Sequence, residues 1–218
     1  NNFLQAIMGN ISLAQTRAEG KSELQYFLSQ ALSACTRAQG VTRQLLAFSR
    51  GGKPLKRVLP IASVIQESAS FAVRGSKTIV KFDLPDNLWC CSIDDGQIAQ
   101  VVSNLVINAE QAMPKTGTIS IGAFNCSDPA AYGFPLPKSP HVVVRIADTG
   151  IGISPEDLPK VFDPYFTTKS TGNGLGLASA YMIVKNHEGF VQVHSTKGEG
   201  TEVSFAIPAV PQAFLNSA

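Results

Sequence analysis

Over residues 1–50 the apolar positions recur three and four apart. Leu4, Ile7, Met8, Ile11 and Ala14 or Ala18 form a first run. Leu24, Leu28, Ala31, Cys35, Ala38, Leu45 and Phe48 form a second, with Leu32, Val41 and Leu46 nearby. That spacing predicts two amphipathic helices. Gly20-Lys21-Ser22 interrupts the pattern, with Ser22 placed to cap the second helix. Neither run contains proline. An antiparallel helical hairpin of this kind carries one wide apolar face, which either packs on the rest of the chain or pairs with a second copy in a four-helix bundle. The length of the hairpin, its freedom from breakers and the linker behind it favour the homodimer.

Gly51-Gly52-Lys53-Pro54 breaks the composition and reads as a hinge, with the linker spanning 51–56. Beyond it the pattern becomes mixed α/β. Short strands are predicted at 57–59, 78–84 and 88–93, the last two separated by Pro85-Asp86-Asn87. A helix is predicted from Pro60 to Arg74, with the proline in its first turn. A second spans 95–113, with Ile98, Val101, Val102, Leu105 and Ala109 on its apolar side. Strands follow at 118–124 and 141–147, on either side of a loop holding Pro129, Pro135, Pro137 and Pro140. A polar, Gly-rich stretch covers 148–174. A helix at 175–186 and closing strands at 190–195 and 201–207 complete an α/β unit over 57–208, and 209–218 reads as a loose tail.

Composition changes this picture little. Of 218 residues, 44% are apolar and 16% charged, which allows a sizeable core and excludes wholesale disorder. The net charge of +2 leaves no electrostatic footprint for nucleic acid. No apolar run is long enough to span a bilayer, so no membrane contact is expected of these residues. The chain opens on Asn1 without a charged-then-apolar leader, which reads as part of something longer. The four cysteines, Cys35, Cys90, Cys91 and Cys126, make no C-x-x-C pair and read as ordinary thiols of a reducing compartment.

Five stretches could carry chemistry. In Asn104-Leu105-Val106-Ile107-Asn108-Ala109 the two asparagines are four apart, so their amides share one helix face. That face either meets solvent or offers neutral oxygens to a hard cation such as Mg²⁺. Asp148-Thr149-Gly150-Ile151-Gly152 follows a strand, and is either an Asp-led turn or a carboxylate placed to accept from an exocyclic amine such as that of adenine. Gly172-Asn173-Gly174-Leu175-Gly176-Leu177 opens a helix, as a flexible turn or as backbone N–H groups offered to phosphate. Between them, Phe162, Tyr165 and Phe166 could anchor a hinged segment, and Lys169 could reach a terminal phosphate or simply solvate. Lys197-Gly198-Glu199-Gly200-Thr201 reads locally as a hairpin turn. No G-x-x-x-x-G-K-[ST] segment occurs, so this is not a P-loop protein.

Taken in order, Asn-x-x-x-Asn-Ala, Asp-x-Gly-x-Gly, Phe-x-Pro-x-Phe, Gly-x-Gly-Leu-Gly-Leu and Gly-x-Gly-Thr resemble the N, G1, F, G2 and G3 boxes of sensor histidine kinases. These belong with the ATPases that include gyrase, Hsp90 and MutL and share the Bergerat fold. The resemblance covers roughly 57–208. The opening run Asn1-Asn2-Phe3-Leu4 is similar to the sequence just after the phosphoacceptor in the dimerisation and histidine-phosphotransfer hairpin, and Leu45-Leu46-Ala47-Phe48-Ser49-Arg50 to the end of that hairpin.

The resemblance implies a two-component kinase core that binds ATP with Mg²⁺. Asp148 would hold the adenine amine with help from Thr201. Asn108 would ligate Mg²⁺, with Asn104 close by. Gly150, Gly152, Phe162, Phe166, Lys169, Gly172, Gly174, Leu175, Gly176 and Leu177 would complete the nucleotide site, under a mobile lid from about Tyr165 to Gly174. The γ-phosphoryl would pass to a histidine and then to an aspartate of a response-regulator receiver domain. The acceptor histidine and its acidic neighbour would fall just before Asn1, so these residues alone are not expected to autophosphorylate. His141, His187 and His194 lack the hairpin context. Asn2 would fall where such kinases orient water for receiver dephosphorylation, which makes phosphatase activity a further expectation. A cytoplasmic location follows for these residues. The rival readings are a receiver-docking scaffold without kinase activity and a non-kinase ATPase of the same superfamily.

Overall fold

The computed structural model describes residues 2–18, 22–32, 35, 53–114, 116–169 and 172–211, with side chains from residue 5 onward. The chain divides into two units, Asn1–Arg50 and Gly51–Ala218. In the first, α1 runs Asn2–Arg17 and α2 covers 22–32. Leu13, Leu24, Tyr26 and Phe27 on these helices are exposed. The remainder of the predicted second helix, the Gly51-Gly52 hinge, the side chain of Asn2 and the last seven residues of the tail lie outside the described residues.

Among the described residues the second unit is a seven-stranded sheet with three α-helices. In chain order it contains β1 (Arg57–Pro60), α3 (Ile61–Ala72), β2 (Ile79–Asp83), β3 (Cys90–Ile93), α4 (Asp95–Ala112), β4 (Thr118–Cys126), β5 (His141–Asp148), α5 (Gly176–Asn186), β6 (Phe190–Thr196) and β7 (Gly200–Val210). The sheet order is β1-β3-β7-β5-β4-β2, with β6 also paired to β7. All pairings are antiparallel except that of β2 with β4.

Alternation along the strands explains the layers. Val142, Val144 and Ile146 of β5, Ile119 and Ile121 of β4 and Phe205 and Ile207 of β7 face the helices. There they are sealed by Ile61 and Ile65 of α3, Ile98, Val101, Leu105 and Ala109 of α4, and Ala180 and Val184 of α5. Each buried aliphatic side chain contributes about 1.5–3 kcal/mol, so this layer dominates the stability of the unit. On the opposite face Val143 and Ala206 meet Phe134, which arrives from the proline-rich segment after β4.

Local chemistry sets the element ends. Pro60 has φ −65° and ψ 116° and stands at the N-cap of α3, so it closes β1 and starts the helix at once. The Asp94 carboxylate caps α4 by accepting from the Gln97 N–H. Its other oxygen accepts from the Leu55 N–H at 3.0 Å, tying the entering chain to the helix start.

Two elements extend beyond the pattern. β4 reaches Cys126 rather than residue 124, and a single 3-10 turn, Pro129–Tyr132, occupies part of the expected loop. β7 continues to Val210 rather than ending at Ile207, because Ala209 and Val210 pair with Cys91 and Cys90 of β3 and the Ala209 N–H donates to Pro140. Among the described residues no helix is long and apolar enough to cross a membrane.

Candidate functional site

At one end of the sheet, Asp148 of β5 lies opposite Thr201 of β7, and Thr201 lies opposite Ser195 of β6. Directly opposed residues share a face, so these three polar side chains form a row on the helix side, one rung beyond Ile146 and Val203, with buried Ile119 of β4 opposite Asp148. The Asp148 carboxylate accepts from the Gly150 N–H at 2.8 Å. Burial pushes this half-buried carboxyl above its ordinary value, against the backbone N–H groups of Gly150 and Thr201 and the Lys169 ammonium, which favour the charged form. Thr201 is buried, and its hydroxyl lies 2.9 Å from that of Ser195.

The backbone around this row is interlocked. The Ile151 N–H donates to Ala112 at the end of α4, and Gly198 in the β6–β7 turn donates to Ile151 at 2.8 Å. Gly200 has φ +123°, and a Cβ there would stand 2.1 Å from the Asp148 carbonyl oxygen, a contact only glycine permits. Gly152 is pressed equally close to the Thr196 carbonyl, and a Cβ on Gly150 would meet Ala112 and the Asp148 carboxylate itself. The Gly-x-Gly-Thr turn therefore packs directly on the Asp-x-Gly-x-Gly loop.

The second wall is α4 against the start of α5. Asn104 is half-buried and donates from Nδ2 to the Gly176 carbonyl at 3.2 Å. Asn108 lies one turn on, its amide so close to Gly176 that a Cβ there would sit 3.3 Å from Nδ2 and 3.5 Å from Oδ1. Both amides thus face α5. Leu175 is buried at the N-cap of α5, and Leu177 packs against the main core, which fixes the first turn of the helix.

A third wall comes from 162–169 and 172–175. Phe162 packs on the core with its ring 5.3 Å from that of Tyr181 on α5. Phe166 is half-buried, and its N–H donates to Asp163. At the neck of the loop the Tyr165 N–H donates to Gly174 at 3.0 Å. Tyr165 itself has φ 69° and Gly174 φ +66°, so two left-handed residues face one another. Gly172 closes a turn onto the Lys169 carbonyl. The half-buried Lys169 ammonium reaches the last turns of α4, donating to the Asn108 carbonyl at 3.1 Å and to Gln111 Oε1 at 3.3 Å. Burial lowers its proton affinity and the nearby Asp148 carboxylate opposes that shift.

Asp148, Gly150, Gly152, Thr201, Asn104, Asn108, Lys169, Leu175, Gly176 and Leu177 therefore gather at the sheet end and the facing ends of α4 and α5, with Phe162 packed on α5, whereas Phe166 and Gly172 make their described contacts within the loop. Asn2 belongs to the other unit. Ser195 and Gln111 were not among the candidates: each is a single polar residue in an ordinary pattern, and only the strand register and the reach of Lys169 bring them in. The histidines have other employment. His187 is buried, its Nδ1–H donating to Ile183 and its Nε2 accepting from the Asp94 N–H, and burial holds its proton affinity down. His141 is buried, with Nδ1 2.8 Å from the Ser139 carbonyl.

Chemically, the site joins an acceptor carboxylate at strand ends, an amide-bearing helix face, a helix N-terminus opened by glycines and a nearby cation. Residues 93–211 match the family of histidine kinase-, DNA gyrase B- and HSP90-like ATPases. Over 215 residues the chain is 35% identical to the sensor kinase CckA of Brucella abortus, covering 95% of this chain and 23% of that protein. It is 30% identical to the signal transduction histidine-protein kinase AtoS of Escherichia coli, covering 97% of this chain and 33% of that protein. The chain thus spans a third or less of either relative. Among solved structures, full-length ShkA in complex with AMPPNP superposes with a TM-score of 0.74 over 96% of this chain and 45% of ShkA, at 20% identity. The catalytic domain of the histidine kinase ThkA does so with 0.59 over 72% of this chain and 97% of that domain, at 26% identity.

Proposed function

The chain belongs to the histidine kinase-, DNA gyrase B- and HSP90-like ATPase family, and from that membership we propose that it is the catalytic core of a two-component sensor histidine kinase, using ATP with Mg²⁺ to phosphorylate a histidine. The observation that carries the reading is the half-buried Asp148 carboxylate at the end of β5, beside Thr201 and held by the Gly150 N–H. A carboxylate acceptor beside a threonine hydroxyl, which also carries acceptor lone pairs, suits an exocyclic amine.

The residues also fit a cation brought in by a polyphosphate. Among the described residues no three His, Cys, Asp or Glu side chains gather as a metal site, whereas Asn108 offers a neutral amide oxygen, a hard donor suited to Mg²⁺ once phosphates supply the negative charge. Mg²⁺ there would neutralise charge developing on the transferred phosphoryl group. Asn104 holds the first turn of α5 against α4, which keeps the N–H groups at the start of that helix directed at the phosphates. Gly150, Gly152, Gly172, Gly174, Leu175, Gly176 and Leu177 shape the backbone around them, and Phe162 and Phe166 anchor the loop. Lys169 needs only to leave the Asn108 carbonyl and Gln111 to meet a terminal phosphate.

None of the three histidines here suits the acceptor role, since His141 and His187 are buried and His194 lies on β6. The N-terminal helices pair in a homodimer and dock a receiver domain, which takes the phosphoryl group on an aspartate. Asn2 orients water for hydrolysis of the receiver's aspartyl phosphate, which releases inorganic phosphate, in the cytoplasm. Equilibrium titration with ATP and Mg²⁺ tests the nucleotide site: Asp148→Asn or Asn108→Ala is expected to weaken binding at least about tenfold, the loss of about one to three kcal/mol that an unpaired buried contact brings. Unchanged affinity in both variants would overturn it.

A further inference from the structure

Resting on the adenine-nucleotide reading above, we propose that Ser195 is a specificity-determining positioning residue: it commits the Thr201 hydroxyl proton, so that Thr201 meets the base only as an acceptor.

The argument is a count of protons. Ser195 Oγ makes three contacts, with the Ile153 N–H at 2.8 Å, the Gly200 carbonyl at 2.8 Å and Thr201 Oγ1 at 2.9 Å. A serine hydroxyl has one proton and two lone pairs. The Ile153 N–H can only donate, which occupies one lone pair. The Gly200 carbonyl can only accept, which takes the Ser195 proton. The remaining lone pair must then receive the Thr201 proton. This is the single assignment that satisfies all three contacts, and Thr201 is buried enough to make satisfaction matter. Thr201 is left with lone pairs alone, next to the acceptor carboxylate of Asp148 across the β5–β7 pair.

A wall of two acceptors welcomes a 6-aminopurine, whose exocyclic group donates. It repels a 6-oxopurine in the same pose, whose exocyclic oxygen accepts. Ser195 touches no base in this scheme and acts wholly through Thr201. Without it the Thr201 hydroxyl can rotate and donate, and the penalty against the 6-oxo group falls. Selectivity built on a fixed donor–acceptor pattern is lost when one member becomes free to turn.

The test is competitive titration of the 218-residue chain with ADP and inosine diphosphate, which differ in the 6-substituent. Wild-type protein is expected to prefer ADP. Ser195→Ala should narrow that preference by about tenfold, largely through tighter binding of inosine diphosphate. In a Thr201→Val background the same substitution should move the ratio by less than about twofold, because its effect runs through the missing hydroxyl. Ser195→Thr, which keeps the hydroxyl, should retain the wild-type ratio. Equal weakening of both nucleotides in Ser195→Ala reports a merely structural serine and overturns the inference, as does a shift of about tenfold that persists in the Thr201→Val background. Should Ser195→Ala not fold, Thr201→Val alone decides: an unmoved ratio overturns the inference. Wild-type protein that binds neither nucleotide overturns the parent reading as well, a result distinct from intact binding with an unmoved ratio.

Discussion

The strand-end wall and the loop wall of the site are built on opposite plans. Asp148, Thr201 and Ser195 sit on three paired strands, and the backbone around them is locked by contacts that leave no room for a single added carbon. The loop wall of 162–169 and 172–175 packs Phe162 on the core beside Tyr181 and is pinched at its neck by a hydrogen bond between two left-handed residues, Tyr165 and Gly174. The strand-end wall is thus preorganised, while in the loop wall the left-handed Tyr165 stores backbone strain of roughly 1–3 kcal/mol. Asp148, Thr201 and Ser195 are carried by rigid strands, whereas Lys169 is carried by a loop.

The same mutation made in both walls separates the two plans. Gly200→Ala forces a Cβ into the Asp148 carbonyl at a left-handed φ. It should cost the fold roughly 3 kcal/mol or more, read as a fall in the urea midpoint. Gly174→Ala places its Cβ against the Tyr165 backbone, yet only the loop has to move. Its urea midpoint should stay near wild type while ATP affinity drops about tenfold, about 1.4 kcal/mol. Equal destabilisation by both would erase the distinction.

The smallest effect comes from Asp148 itself. Burial raises its folded proton affinity above the unfolded value near 3.8, so folding takes up a proton. That contribution is complete below the unfolded value and is lost as pH rises through the raised folded one. At neutral pH the ionised carboxylate therefore burdens the nucleotide-free fold. Asp148→Asn is expected to raise the melting temperature at about pH 7 while weakening ATP binding, and the gain should shrink as pH falls toward 3.8. A lower melting temperature at neutral pH would show that the carboxylate supports the fold. Such a trade of stability for a charged site is common where function needs it.

Much of this was legible beforehand. The apolar side of α4 and the alternation of β5 follow from periodicity, because one face of each is buried in a single layer. The glycine and asparagine boxes marked the site because each breaks a local rule: Asn104 and Asn108 are poor helix formers set against Gly176, and Gly200 needs a left-handed turn. What stayed hidden depends on partners distant in sequence. The extension of β7 to Val210 needs β3, the role of Ser195 needs the β6–β7 register, and the seat of Lys169 needs the end of α4.

The position of β7 carries one more consequence. It is the last strand among the described residues, yet it pairs with β3, β5 and β6 together. During synthesis the earlier strands leave the ribosome with the central rung of their ladder missing, so the sheet closes only after residues 200–210 emerge. Until then Val142, Val144 and Ile146 lack their β7 neighbours Ile207, Phe205 and Val203, which leaves that edge of β5 open to other strands.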